Sequence, residues 1–369
     1  MQKSSKGKKI MLSDTSLYFL ERFMNTNGPS GFEFEAAACY RQYAETFAHA
    51  VSTDVMGNTI AVLNPDAPFK VMLAGHYDEI GFQVTYITDE GFVCFRPVGG
   101  VDKNTVPGME VNILTQNGPL PGVIGRKAIH LQSQKERDTP SEFKDLWIDT
   151  GIEDGAKVKE LVMVGDAVSF RTNYHRAGEN RIISKSLDDK IGAFVVIEVL
   201  KKLAPMNIPV GVYAVGTTQE EIGTRGVKTS SYGIDAQVGF CVDVGHATDV
   251  PGTDKKTAGD VKLGGGPILT RNADNNPVLV GKMMEEAKKN SFPFQLVCGG
   301  RPTGGTDTAS MQLARAGMAT ALVSIPNRYM HTPVEICDLR DVENAINIIA
   351  GTIASFTGRE TFIPGIDGK

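Results

Sequence analysis

The sequence predicts an α/β protein: a mostly parallel sheet covered by helices on both faces, interrupted by an inserted small β-barrel. Two textures carry that reading. The apolar runs VMLAG (71–75), VGVYAV (210–215), QVGFCVDV (237–244) and ATALVSI (319–325) alternate with segments of helical period. Strands buried on both faces are continuously apolar, and alternation with helices builds a parallel sheet. Between about 80 and 175 the texture changes to short alternating stretches, FQVTYI, FVCFRPV and MEVNIL. Asp-Glu-Gly, Gly-Gly and the dipeptide Asn117-Gly118 punctuate them, as in small barrels and sandwiches. The α/β body is therefore assigned to residues 1–79 and 176–369, and the insert to residues 80–175.

In chain order, residues 14–26 and 31–49 have helical character. Ser30, with Glu33 three positions on, has the spacing of a capping box for the second helix. NTIAVLN predicts a strand, and VMLAG a buried strand that ends at His76. The charged stretch QKERDTPS from 134 predicts a loop or a helix start. Residues 189–203 predict a helix capped by Asp189; NPVLVGKMMEEAKKN, TASMQLARAG and the closing RDVENAINIIAGTIASF predict three more.

Composition narrows the function. The 369 residues are 41% hydrophobic and 22% charged, enough for two cores. A formal charge of −5 gives no general attraction to nucleic acid or to an anionic membrane. No run approaches the roughly 18 apolar residues of a spanning helix. The basic start MQKSSKGKKI leads into too short an apolar stretch for a signal peptide, so a frayed tail and a cytoplasmic location are expected. Cys39, Cys94, Cys241, Cys298 and Cys337 are scattered, without a CxxC, which argues against disulfides and thiolate zinc sites.

The chemistry gathers at strand ends. His76 follows VMLAG, Glu220 and Glu221 follow VGVYAV, Asp243 ends FCV, and His331 follows ATALVSI. Ligands of open α/β sheets collect beyond the carboxyl ends of strands. With Asp188 at a helix start, these six have the makings of a two-metal hydrolase site. One carboxylate bridges two cations, His and carboxylates complete each ion, and a spare carboxylate serves as base. Asp78, two residues after His76, can fix the imidazole from its far nitrogen. Adjacent Glu220 and Glu221 would repel unless a cation sits beside one of them. The other histidines are assigned structural or supporting roles. The glycine-rich stretch GGRPTGGTDT at 299–308 matches no phosphate-binding motif and predicts a flexible loop near the substrate.

At AGHYDEIG, SLDDKIGA, TTQEEIGTRGV, VDVGHATDVPG, LGGGPILTR, GGTDT and YMHTP, the sequence resembles the M42 family of metallo-aminopeptidases. That family includes the tetrahedral and the glutamyl aminopeptidases. The resemblance covers nearly all of the chain beyond the first dozen residues. Lys190, where the family often has Arg, and Gly245, where it often has a hydroxyl or other small residue, are small departures. The resemblance implies His76, Asp188 and Asp243 around one ion, and Asp188, Glu221 and His331 around the other. Asp188 would bridge, Glu220 would be the general base, and the two divalent ions would be zinc or cobalt. It also implies a cis peptide bond between Asp188 and Asp189, and short peptides as substrates. The insert, which hydrolytic chemistry does not require, would serve pairing in a homo-oligomer of dimers, up to a dodecamer. The alternatives are a metal-dependent deacylase, a glycoside hydrolase, or a metal-bound assembly protein without turnover. A glycoside hydrolase would instead need two carboxyl groups flanking its bond.

Overall fold

The computed structural model describes residues 12–299 and 303–366. The basic N-terminal run and residues 300–302 of the 299–308 stretch lie outside them. An eight-stranded sheet organises the body. Its middle is parallel: Gly211–Thr217, Lys70–His76, Val238–His246 and Ala319–Asn327 lie side by side in that order. Antiparallel partners flank it, Thr59–Leu63 beside the first of these and Ile268–Thr270 beside the last. Short strands Ala50–Thr53 and Gln295–Val297 close the edges. The parallel strands are those whose apolar runs are continuous, because both of their faces are covered.

Helix Leu187–Leu203 packs against all four central strands, and 15 of its 17 residues are buried. That burial explains its unbroken apolar run, which has no polar face to show. Truncating a fully buried side chain there, such as Phe194, would cost about 3–5 kcal/mol. The helix is kinked at its start: Asp188 and Asp189 have non-helical backbone angles, and their peptide bond is cis. Beyond the kink, Asp189 accepts a hydrogen bond from the Gly192 amide, the capping role expected of it.

The insert is a closed six-stranded antiparallel barrel whose strands run from Gly81 to Phe170. Phe82, Phe95, Phe143 and Phe170 pack edge-on inside it, and Gly118 turns one hairpin at φ 105°. A buried ion network ties the barrel to the body. Glu79 accepts from Lys185 at 2.7 Å, from Lys190 at 2.8 Å and from Ser169 of the barrel at 2.6 Å. A buried carboxylate with this many donors is satisfied; losing Glu79 would leave two ammonium groups without a counter-charge in a dry interior.

Local expectations fare unevenly. The second helix runs Phe34–Ala44, shorter than 31–49, and has no capping box. Ser30 donates to Asp78 at 2.6 Å, and Glu33 accepts from the Gly31 and Gln219 amides, so both side chains serve the neighbouring loop. The QKERDTPS stretch does form a short helix, Gln134–Asp138, with a capping box between Ser133 and Glu136. A small sheet of His175–Ala177, Arg181–Ser184 and Glu335–Asp338 was not foreseen; its strands are too short to show a period.

Candidate metal centre

His76 closes strand Lys70–His76 and is 2% exposed. Asp243 lies inside strand Val238–His246, not at its end as the sequence suggested. The strand continues because it stays paired with Ala319–Asn327, but its pairing with the His76 strand stops at Cys241 and Ala74. The two strands part there, and Asp243 stands at the mouth of the opening, level with His76. Such a crevice at the carboxyl ends of parallel strands is where ligands bind in this class of sheet.

Asp188 joins two clusters. Its Oδ1 lies 3.3 Å from His76 Nε2 and its Oδ2 lies 3.4 Å from His331 Nε2. Around His331, Glu221 Oε2 is 3.6 Å from the same nitrogen. Glu220 reaches the other side, with Oε2 3.9 Å from His76 Nε2. Two triads have atoms within 4.8 Å of one another: His76, Asp189 and Asp243, and Asp188, Glu221 and His331. Asp189 belongs to the first by proximity alone. Its oxygens accept from the backbone amides of His76 and Gly192. Asp188, by contrast, turns both oxygens to imidazoles, so it is the better bridge.

Asp78 does more than the sequence indicated. Its Oδ1 is 3.4 Å from His76 Nδ1, and its backbone carbonyl is 3.2 Å from the same nitrogen. The carboxylate also accepts from the amides of Glu220 at 2.9 Å and Glu221 at 3.1 Å. Gln219, one residue earlier, has φ 56° and gives its amide to Glu33 at 3.1 Å. Three successive amides of the glutamate turn are thus held by two buried carboxylates, which aim the pair.

The electrostatics are those of crowded carboxylates. Burial pushes Glu220 up to about 8, reinforced by the charges of Asp307, Asp78 and Asp188. Burial and the Asp188 charge also raise Glu221 and Asp243 well above the usual range. For Asp188 burial acts upward too, but hydrogen bonds from His331 and His76 prevail and hold it well below. The bond to Asp188 in turn lifts His331 to about 10. This crowding of negative charge demands positive partners, and a divalent cation would take the place of the Nε2 proton on each imidazole. Glu221 Oε1 is buried without a hydrogen-bond partner among the described residues. An orphan acceptor within a nitrogen and oxygen donor set fits such an ion.

Two residues near the site escaped the sequence reading. Glu335 accepts from the Asp188 amide at 2.8 Å and is 2% exposed; burial and the Asp188 charge raise it to about 8. It lies four residues past His331, and no spacing rule marks it. Asp307, in the GGTDT motif, accepts from Thr217 at 2.7 Å, and its Oδ1 is buried without a partner among the described residues. Of the other histidines, His49 accepts from the Asn64 amide, while His130, His175 and His246 are exposed.

Known proteins agree with the architecture. The family described as M42 glutamyl aminopeptidase matches residues 57–348. A lysyl aminopeptidase of Pyrococcus furiosus is 34% identical over 332 residues, covering 89% of this chain and 94% of its own. The TET aminopeptidase of a marine sediment Thaumarchaeota archaeon superposes with a TM-score of 0.88 at 32% identity, covering 93% of this chain and 97% of its own. The TET1 peptidase of Pyrococcus horikoshii, which can assemble into a tetrahedron or a large octahedral shell, gives 0.82 at 31% identity, over 92% and 100%. With the family matched over most of its length, the chain belongs to the M42 glutamyl aminopeptidases and is a hydrolase acting on peptide bonds.

Proposed function

We propose that the chain removes the N-terminal residue of short peptides with the help of two divalent metal ions, zinc or cobalt. The observation that carries this reading is Asp188, whose two oxygens face the imidazoles of two separate clusters. His76, Asp188 and Asp243 would hold one ion; Asp188, Glu221 and His331 would hold the other. When bound, the ions acidify a water molecule and polarise the scissile carbonyl. Glu220 is the base. It takes a proton from the water as the water oxygen attacks the carbonyl carbon, and it gives that proton to the amine nitrogen as the C–N bond breaks. Burial and acidic neighbours raise Glu220 to about 8 in the metal-free site, and bound cations would lower it toward the ionised form that a base needs. The density of carboxylates also favours a substrate with a free α-ammonium group, as an exopeptidase requires.

Assembly belongs to the same reading. The barrel exposes Ile129, Leu131, Met163 and Val164. Exposed apolar side chains of this kind suit a protein contact. We expect a homo-oligomer of dimers, up to a dodecamer, in the cytoplasm; no helix among the described residues is long and apolar enough to cross a membrane. The test is an aminoacyl-p-nitroanilide panel assayed before chelation, after it, and after return of zinc or cobalt. Activity should vanish and then recover. Turnover that survives exhaustive chelation would refute the metal-dependent reading.

A further inference from the structure

The inserted barrel was expected to serve pairing alone, yet one of its turns reaches the metal centre. Gly99 and Gly100 follow barrel strand Val93–Val98. The Gly100 carbonyl lies 2.8 Å from His331 Nδ1, so it accepts the Nδ1–H. A histidine tied at Nδ1 presents the lone pair of Nε2, the atom that faces Asp188 and Glu221. The next turn residue but one, Asp102, donates its amide to the His331 carbonyl at 3.1 Å. His331 is therefore gripped at ring and backbone by the same turn.

It needs that grip. His331 sits in a loop past strand Ala319–Asn327, at φ 63°, with its side chain 38% exposed. No strand ladder holds it. Both glycines are also required for space. A Cβ on Gly100 would stand 2.8 Å from His331 Nδ1, and one on Gly99 would stand 3.3 Å from Glu221 Oε2. The turn thus touches both ligands that this half of the site does not share.

We infer that the barrel turn Gly99–Asp102 is a positioning element of the second metal half-site, holding His331 and Glu221 in the arrangement that binds the ion. The insert is then part of the hydrolytic machinery as well as a surface for assembly. This rests on the two-metal reading, and the test separates the two. Metal-free full-length chain is titrated with Co²⁺, followed by calorimetry and by the visible absorption of the bound ion.

Wild type should take two ions per chain. Gly100→Ala should weaken one of them by about 10–100-fold, the usual effect of disturbing a residue that orients a ligand. The other ion should bind unchanged, the metal-free melting temperature should hold, and excess Co²⁺ should restore turnover. Asp102→Pro offers a second route, because the native φ of −71° suits the ring and the amide to His331 is lost. It should weaken the same ion to a smaller degree, with Asp102→Ala as control for the lost carboxylate. If both variants bind both ions with wild-type affinity, the inference is overturned while the two-metal reading stands. A wild-type chain that takes only one ion overturns both.

Discussion

The two halves of the candidate metal centre are built differently. The His76 half is buried and strand-borne: His76 ends a central strand, Asp243 lies in the next, and Asp78 fixes the ring from two residues away. The His331 half is loop-borne and partly open. Its histidine is oriented from across the chain by Gly100, 231 residues earlier in sequence. One half inherits its rigidity from the sheet; the other borrows it from an inserted barrel. Two ligand sets of similar chemistry should therefore differ in how tightly and how long they hold a cation.

Glu220→Gln should have the largest effect, because it removes the proposed base beside His76 while keeping every proposed ligand. We expect kcat to fall by roughly 10²–10⁴-fold with both metals retained, read by steady-state kinetics beside elemental analysis. Loss of metal in this variant would mean that Glu220 is a ligand.

Chelation should next separate the halves. The ion at His331 should leave first, and the one at His76 at least about 10-fold more slowly, given its buried and locally fixed ligand. Stopped-flow release into a chromogenic chelator should show two phases, and His331→Ala should remove the faster. A single phase would make the halves equivalent and break the comparison.

Glu33 sharpens it from another side. Glu33→Ala leaves the Gln219 amide without its buried acceptor, at about 1–3 kcal/mol. We expect a kcat loss of about 10-fold with KM and metal content held, since a small misplacement of a base slows the chemistry. Glu33→Gln, which keeps an acceptor oxygen, should recover most of the rate.

The smallest expected effect is on stability against pH in the metal-free protein. Glu33, Glu335 and Glu220 are raised to about 7, 8 and 8, chiefly by burial. A carboxyl held above its unfolded value binds its proton more tightly in the fold. Its contribution is full below about 4.5 and is lost as pH rises through 7–8. His331, raised to about 10 from 6.5, acts in the same direction at higher pH. The metal-free melting temperature should thus fall between pH 5 and 8, and bound zinc should flatten that fall. A rise over the same interval would contradict the burial of these groups in neutral form.

These contrasts also explain what the sequence could disclose. His76, Asp188, the glutamate pair and His331 were visible because each lies close to the end of an apolar run or the start of a helix, and local pattern marks such places. Asp243 was found but misplaced, since its strand stays paired on one side after parting on the other. Ser30 and Glu33 were noticed for the wrong reason. Their spacing fits a capping box, and only the fold reveals that Asp78 and Gln219 claim them. The Gly100 contact had no local signal at all. It arises from the way a barrel loop docks on a body loop, and nothing in either segment names the other.

A two-metal site here depends on Asp188 serving two cations. Anomalous diffraction at the cobalt edge from metal-loaded crystals tests this most directly. We expect two peaks per chain, one beside each Asp188 oxygen, the first near His76 and Asp243 and the second near Glu221 and His331. A single peak, or two that do not share Asp188, would contradict it.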